Sequence, residues 1–257
     1  MREPDELRAI VEVYLEELEL WPELHGQAES VRYAFVEMGG KRIRPVICLA
    51  SGEAIGAGPE QILPAAAALE LVHNFSLVHD DLPALDDDAE RRGKPSVWAA
   101  YGEGKALLAG DALLAEAFRL ASSYRSSAVV RELAEATLGM IGGQYLDTME
   151  PETELETVHR LKTGRLFYAS VTLALAAAEL REAAQRPWRA FADELGMLFQ
   201  VVDDILDGDG FVVTHGVDGA RRLADDAAAR ARAALEQVDA DTSVLAGIVD
   251  DLAVRTV

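Results

Sequence analysis

The sequence predicts an all-α protein that forms a single helical domain. Strong helix formers, above all alanine, leucine, glutamate and arginine, dominate the 257 residues. Long stretches place apolar residues three and four positions apart, which is the spacing of one face of a helix. No stretch alternates apolar and polar residues at period two, as a half-buried strand would. Because no Pro/Ser-rich linker divides the chain, residues 1–257 are expected to share one core.

Helices are predicted along the whole chain, with turn signals between them. The apolar spacing predicts helices over residues 4–20, 28–38, 44–55, 60–81, 105–124, 127–148, 153–182, 187–208, 217–237 and 242–255. Breakers lie at Gly39-Gly40, Gly56 to Pro59, Gly93 to Pro95, Pro151 and Gly208 to Gly210. The helix at 153–182 is expected to break near Lys162. The stretch AAAALELVHNFSLV (65–78) is apolar nearly all round, so its helix should be central.

Charge and composition exclude several classes of protein. Acidic residues outnumber basic ones 45 to 24, a formal charge of -21, which argues against a nucleic-acid-binding surface. The single cysteine, Cys48, excludes an intrachain disulfide framework and fits a cytoplasmic protein. The acidic N-terminus does not resemble a signal peptide. No apolar run approaches the roughly 20 residues of a membrane-spanning helix, so no integral membrane segment is expected.

The first unusual stretch is HDDLPALDDDAERRGKPS, which begins at His79. Five aspartates and one glutamate fall between Asp80 and Glu90, followed directly by Arg91 and Arg92. Carboxylates this close repel one another unless cations join them. A solvated acidic loop is the ordinary explanation of such a run. The alternative is a site for divalent metal and phosphate.

A second acidic cluster, FQVVDDILDGDG, favours the metal site. A helix places Asp203 and Asp207 on one face, with Asp204 about 100° around it. Their neighbours are valine, isoleucine and leucine, and an unpaired carboxylate among such residues is costly. Mg²⁺ commonly joins a few carboxylates to substrate phosphates. Two such clusters on facing helices predict a magnesium–diphosphate site.

Basic motifs accompany both clusters. GGKRIRP supplies Lys41, Arg42 and Arg44 after a glycine pair at a helix start, where backbone N–H groups favour anions. KTGRLF supplies Lys162 and Thr163, and RRGKP follows the first acidic cluster. Each motif alone is typical of surface salt bridges. Together they predict two diphosphate sites, one on metal and one on cations.

Taken in order, these motifs resemble a known family. GGKRIRP, HNFSLVHDDLPALDDDAERRGKPS, LAGDALLAEAF, GQYLDT, KTGRLF and FQVVDDILD are similar to the motifs of the trans-isoprenyl diphosphate synthases, or polyprenyl synthetases. The C-terminal LAGIVDDLAVRTV also resembles the family's last helix. The resemblance implies an all-α bundle of the isoprenoid synthase type with a central active-site cavity. It also implies a homodimer.

The resemblance implies a reaction and a cofactor. Isopentenyl diphosphate condenses with an allylic diphosphate, dimethylallyl or geranyl, to give a short-chain trans-prenyl diphosphate. The allylic substrate loses its diphosphate, the double bond of isopentenyl diphosphate attacks the resulting carbocation, and a proton leaves. Mg²⁺ assists the ionisation, with three ions per active site, and Mn²⁺ is the alternative metal.

The motifs assign roles to residues by resemblance. The metal ligands are Asp80, Asp86 and Asp203, with Asp81, Asp204 and Asp207 in support. The allylic diphosphate lies on Arg91, Lys162, Thr163 and Gln200, and Lys162 also lies near the reacting carbon. Isopentenyl diphosphate lies on Lys41, Arg44, His73 and Arg92. Without the motif, His73 would be interpreted as an ordinary histidine of an apolar helix.

Product length depends, in this family, on the floor of the apolar cavity beneath the first cluster. Phe75 precedes Asp80 by five positions, or about 7–8 Å along a helix axis. An aromatic residue there, beside the small Ser76, resembles the floor of farnesyl (C15) synthases. C15 is therefore the expected product, with geranylgeranyl (C20) as the second choice. The alternative is that Phe75 is ordinary core packing.

One segment departs from the family, and two other functions stay open. Family members usually follow the second cluster with a loop of the type GDxxxxGKxxxxDxxxxKxT, whose lysines hold the allylic diphosphate. Here the chain reads GDGFVVTHGVDGARRLADDA and has no lysine after Lys162; Arg221 or Arg222 is the candidate substitute. A terpene cyclase would not need GGKRIRP, His73 or Arg92. A non-catalytic regulatory subunit would tend to lose the acidic clusters, which are intact.

Overall fold

The computed structural model describes residues 1–150 and 152–254, which form a bundle of α-helices. The helices are α1 (Pro4–Glu17), α2 (Ala28–Arg32), α3 (Ile43–Ala54), α4 (Pro59–Asp80), α5 (Val97–Tyr101), α6 (Glu103–Ala121), α7 (Ala128–Met149), α8 (Leu155–His159), α9 (Arg165–Ala177), α10 (Glu182–Asp207), α11 (Gly210–Leu235) and α12 (Ser243–Val254). A 3₁₀ turn spans Pro22–Gln27, and wider π-helical turns span Tyr33–Glu37 and Arg160–Gly164. The predicted all-α fold is confirmed.

The central helices are α4 and α9. Helix α4 packs against α1, α3, α6, α7 and α9, and the alanines at 65–68 are fully or almost fully buried. By length and composition α4 could cross a membrane, but 67% of its most apolar window is buried by the other helices. The expectation that no apolar run reaches that length was therefore wrong, because the buried core helix itself reaches it. Its predicted central position is confirmed.

Most bounds of the long periodic segments were predicted to within three residues, but α9 ends and α10 begins five residues earlier than predicted. Prolines at the starts of α1 and α4 fix the first turn, where a missing N–H costs nothing. The break expected near Lys162 is the π-helical turn at Arg160–Gly164. The predicted breaker Pro151 and the predicted helix end at 255 lie outside the described residues.

A short β-ribbon in the first acidic region was not predicted. Strand β1 (Glu90–Arg91) pairs with β2 (Lys94–Pro95) through a two-residue turn at Arg92 and Gly93, both with positive φ. Lys94 Nζ donates to the carbonyl of Glu37. These contacts hold the ribbon against the turn that precedes GGKRIRP, so the first acidic region and the first basic motif are neighbours.

The segment after the second acidic cluster is helical rather than a loop. Gly208, in the left-handed conformation, ends α10. Helix α11 then begins at Gly210, where the sequence predicted a start at 217, and it kinks at Gly216 with φ 70° and ψ 163°. The lysine-free segment is therefore folded against the end of α10.

Candidate active site

A cavity of about 420 Å³ lies between α4, α7 and the Arg160–Gly164 turn. Predicted site residues line it from three directions: Arg44, His73, Phe75, Ser76, Asp80, Lys162 and Thr163. Arg44, Asp80 and Lys162 bring charge to the lining, and the rest of it is largely apolar. The cavity therefore combines charged groups with an apolar wall.

Asp80 ends α4 and lines this cavity. The chain turns back so that the Asp86 N–H donates to the Asp80 carbonyl at 2.9 Å. Burial raises the pKa of Asp80 to about 6; the charge of Lys162 opposes this shift, and Asp86 adds to it. A divalent cation beside Asp80 and Asp86 would stabilise the charged carboxylates, so the pair fits a metal.

Asp81, the next residue, is paired within the protein. It is buried, and Arg91 contacts its carboxylate through Nε at 2.7 Å and Nη2 at 2.5 Å. Arg91 Nη2 also lies 3.5 Å from Asp88. The predicted roles of Asp81 at metal and of Arg91 at the allylic diphosphate stay predictions, and both groups would first have to leave this pair.

The second acidic cluster lies at the end of α10. Burial raises the pKa of Asp203, and the neighbouring carboxylates of Asp207 and Asp204 raise it further, while Lys41 lowers it. Asp204 is different because its side chain is buried and bonded: Oδ1 accepts from Gln200 Nε2 at 2.7 Å and Oδ2 accepts from the Phe211 N–H at 2.8 Å. Asp203 and Asp207 therefore keep the freer carboxylates.

The donor set fits an ion that shares its coordination with substrate. Within 1–150 and 152–254, no three His, Cys, Asp or Glu side chains converge into a complete metal site. Mg²⁺ usually takes one or two carboxylates and completes its octahedron with phosphate oxygens and water. Burial is the main cause that raises the pKa values of Asp80 and Asp203, and a bound cation would oppose that shift. Asp80, Asp86, Asp203 and Asp207 are the residues that could hold Mg²⁺.

The cations predicted for isopentenyl diphosphate gather around the Gly39–Gly40 turn. Arg92 Nη1 donates to the Gly39 carbonyl, which fixes the side chain over the turn. The Arg44 guanidinium lies 4.6 Å from the centre of the Phe167 ring, and its buried Nε has no partner. Burial lowers the pKa of Arg44 to about 10. An anion would complete this environment.

His73 lies in the same cavity as Arg44. Burial and nearby arginines lower its pKa well below the usual value, so the imidazole is neutral. A neutral imidazole can still donate one hydrogen bond to a phosphate oxygen.

Arg42, the remaining cation of GGKRIRP, is part of the core. It is 2% exposed, and it donates to Glu12 at 3.1 and 3.3 Å, to Glu70 at 2.8 Å and to the Phe35 carbonyl. Its backbone is left-handed, with φ 52°. This buried network fixes the turn from which Lys41 and Arg44 project.

Lys162 is held in place by α7. Its Nζ lies 2.5 Å from Asp147 Oδ2. The backbone of Lys162 packs so closely on α7 that position 143 must be a glycine. Thr163 follows it into the cavity. Gln200, predicted beside them, instead bonds to Asp204 and lines a second pocket of about 490 Å³ behind the turn.

Phe75 lines the cavity, and its predicted role as a floor stays a prediction. It is 7% exposed, and its ring meets His79 edge to face, with centroids 4.9 Å apart. His79 Nε2 in turn lies 3.0 Å from the Leu107 carbonyl of α6, and Gly110 leaves room for the imidazole. Phe75 is thus supported from behind by α6.

Several site residues were not predicted from the sequence. Helix α7 lines the cavity with Met140, Ile141, Gln144, Tyr145, Thr148 and Met149. The GQYLDT motif marked this helix, but it gave no role to Asp147 as the partner of Lys162. His159 was also missed, although its Nδ1 lies 3.6 Å from Asp204 Oδ2. Burial lowers the pKa of His159.

Comparison with known proteins agrees with these observations. The sequence pattern of the polyprenyl synthetase family matches residues 27–216. A geranylgeranyl diphosphate synthase of Cyanophora paradoxa is 42% identical over 194 residues, covering 70% of this chain and 64% of that protein. A farnesyl diphosphate synthase of Escherichia coli (strain K12) is 37% identical over 260 residues, covering 86% of this chain and 87% of that protein.

Solved structures agree as well. A geranyltransferase from Legionella pneumophila is 30% identical and superposes with a TM-score of 0.86, covering 98% of this chain and 96% of that one. The chain spans less than two thirds of the length of the Cyanophora synthase, 64%, but nearly all of the Legionella structure. The shared fold therefore covers the parts of this chain that carry both acidic clusters and the cavity.

Proposed function

The chain belongs to the polyprenyl synthetase family, and from that membership we propose that it is a Mg²⁺-dependent prenyltransferase. It condenses isopentenyl diphosphate with dimethylallyl or geranyl diphosphate to a short-chain trans-prenyl diphosphate. The observation that carries the proposal is the cavity itself, whose lining joins Asp80 and Lys162 to Phe75 and other apolar side chains. A diphosphate with a growing hydrocarbon chain has the same two-part chemistry.

The residues divide the work between two diphosphates. Bound Mg²⁺ would neutralise the charge that develops on the leaving diphosphate. Lys162 and Thr163 donate to that group from the opposite side, while Asp147 holds the ammonium of Lys162 in line. Lys41, Arg44, His73 and Arg92 hold isopentenyl diphosphate so that its double bond faces the cation centre. Holding both substrates in one cavity removes most of the entropic cost of their encounter.

Bonding changes follow from this placement. The allylic C–O bond breaks, and its electron pair leaves with the diphosphate. The double bond of isopentenyl diphosphate then forms the new C–C bond, and the released diphosphate accepts the proton that is lost.

The cyclase and the non-catalytic alternatives are less well supported. A cyclase has no use for a second diphosphate site, yet Arg92 and the buried Arg42 network are arranged around the Gly39–Gly40 turn. A regulatory subunit has no need for a cavity lined by both Asp80, whose pKa is raised, and the cation of Lys162. The condensing enzyme uses all of these features.

The direct test is incubation with Mg²⁺, isopentenyl diphosphate and each allylic primer in turn, followed by chromatography of the dephosphorylated products. We expect elongation from dimethylallyl and geranyl diphosphate, with C15 as the main product and C20 second. Cyclic hydrocarbons formed without isopentenyl diphosphate would instead identify a cyclase. Lack of turnover with every primer would favour the regulatory subunit.

Phe75→Ala is expected to lengthen the product by at least one C5 unit. The ring stands about 7–8 Å below Asp80 on the axis of α4, and pushing a longer chain against it would overpack a dense core. Truncation costs about 3–5 kcal/mol if the ring is fully buried, so circular dichroism must first show a folded variant. The neighbouring Val78→Ala, at a buried residue outside the cavity lining, is the control for a simple loss of volume. An unchanged product spectrum from a folded, active variant would make Phe75 core packing.

We also propose a cytoplasmic homodimer that binds small diphosphates and neither nucleic acid nor membrane. Apolar side chains on α6 and α7 are exposed in the single chain: Leu107, Leu108, Leu138, Ile141, Tyr145 and Met149. A second copy covering this face would remove them from water. Light scattering coupled to size exclusion measures the mass directly.

A further inference from the structure

The junction of α10 and α11 is fastened by the buried carboxylate of Asp204. Gln200 Nε2 donates to Oδ1 at 2.7 Å, and the Phe211 N–H donates to Oδ2 at 2.8 Å. Gly210 packs so closely that a methyl group there would lie 2.1 Å from Oδ2. The carboxylate therefore fixes both the start of α11 and the amide of Gln200.

His159 is the third neighbour of this carboxylate. Its Nδ1 lies 3.6 Å from Asp204 Oδ2, just beyond hydrogen-bond distance. That Nδ1 is buried and has no hydrogen-bond partner. The imidazole is held by the ring of Phe211, edge to face, with centroids 5.3 Å apart. An approach of a few tenths of an ångström would complete the bond to Asp204.

The position of His159 in the chain gives this contact its meaning. It is the last residue of α8, and the next residues are the Arg160–Gly164 turn, which carries Lys162 and Thr163. Asp204 is the next residue after Asp203 of the second acidic cluster. The pair thus spans the two elements that would hold the allylic diphosphate from opposite sides.

We propose that His159 is a positioning residue, which donates from Nδ1 to Asp204 and thereby fixes the Lys162–Thr163 turn against the second acidic cluster. The contact closes when a diphosphate draws the cationic turn and the acids together. The contact between His159 and Asp204 also holds the lysine-free α10–α11 connection. The reason is that the Phe211 N–H of α11 donates to the same carboxylate. The inference rests on the proposed prenyltransfer function.

The test separates the effect of the Nδ1 donor of His159 from the effect of its ring. His159→Asn places an N–H near the position of Nδ1 without the ring, and His159→Phe keeps the ring without the donor. The control is His215→Phe, since His215 touches the other side of Phe211, with centroids 5.8 Å apart, and is exposed. Steady-state kinetics with each substrate varied in turn gives both KM values and kcat, and thermal unfolding reports the fold.

We expect His159→Phe to raise KM for the allylic diphosphate about tenfold and to lower kcat, because one hydrogen bond at the site is lost. KM for isopentenyl diphosphate should stay within about twofold, since that site lies on other elements. His159→Asn should recover most of the loss, and His215→Phe should match the wild type. Kinetics closer to the wild type in His159→Phe than in His159→Asn would overturn the proposal. An equal rise of both KM values in His159→Phe would overturn it as well.

Failure of the proposed function would be visible separately. If the wild type turns over no primer, calorimetric titration of the same variants with Mg²⁺ and inorganic diphosphate still compares Asn with Phe. Tenfold weaker binding in His159→Phe alone would support the positioning role, at about 1.4 kcal/mol. Equal binding by wild type, Asn and Phe would refute it.

Discussion

Asp80→Ala and Asp203→Ala are each expected to lower turnover by roughly three orders of magnitude. Metal-assisted departure of a leaving group contributes several kcal/mol, and about 4 kcal/mol corresponds to that factor. Each carboxylate belongs to a different cluster, and both have raised pKa values that a cation would reverse. EDTA should abolish turnover in the wild type, and added Mg²⁺ should restore it.

The control for these variants is Asp87→Asn in the same acidic run. Asp87 has positive φ, which asparagine tolerates, and it is exposed. Its turnover should stay within about twofold of the wild type, because surface substitutions rarely matter. Near-normal turnover of Asp80→Ala or Asp203→Ala would refute the two-cluster site.

Gly143→Ala is expected to lower kcat by about two orders of magnitude. A methyl group at Gly143 would lie 2.2 Å from the backbone nitrogen of Lys162 and 2.6 Å from its Cα. Backbone atoms cannot rotate aside, so the turn must shift and carry Lys162 with it. Displacing a catalytic group by about 1 Å can cost a factor of 100.

Gly142→Ala provides the matched control for this prediction. It is the preceding residue of α7, and a methyl group there would meet nothing within 4 Å. Alanine should even stabilise the helix by about 1 kcal/mol. Measuring kcat and the thermal midpoint of both variants completes the test. Wild-type kinetics and stability in Gly143→Ala would show that α7 does not constrain the turn.

The sequence predicted the long helices well because their periodicity is local information. Helix α5 and the ribbon around Arg92 were not predicted, because segments of two to five residues are too short to show a periodic pattern. The start of α11 was placed too late, because three glycines between 208 and 216 look like a loop. The signal that starts this helix is the Asp204 side chain on the Phe211 N–H, a contact that no residue spacing reveals.

The site, like the fold, was predicted only in part. Motif order placed Asp80, Phe75 and Lys162 on one cavity, as the structure has them. Arg42 was named within the basic stretch GGKRIRP but received no site role, and the structure buries it among acids. Such a side chain can be assigned only when its partners from other helices are known.

Through the bonds between Glu12 and Arg42, α1 influences substrate binding although it contributes no residue to the cavity lining. Helix α1 offers no lining residue, yet Glu12 and Glu70 together orient the turn that projects Lys41 and Arg44. Substitutions in α1 would therefore be selected for their effect on catalysis as well as for their effect on folding. Chimaeras that exchange the first helix between relatives should keep the acid at position 12 so that isopentenyl diphosphate binding is preserved.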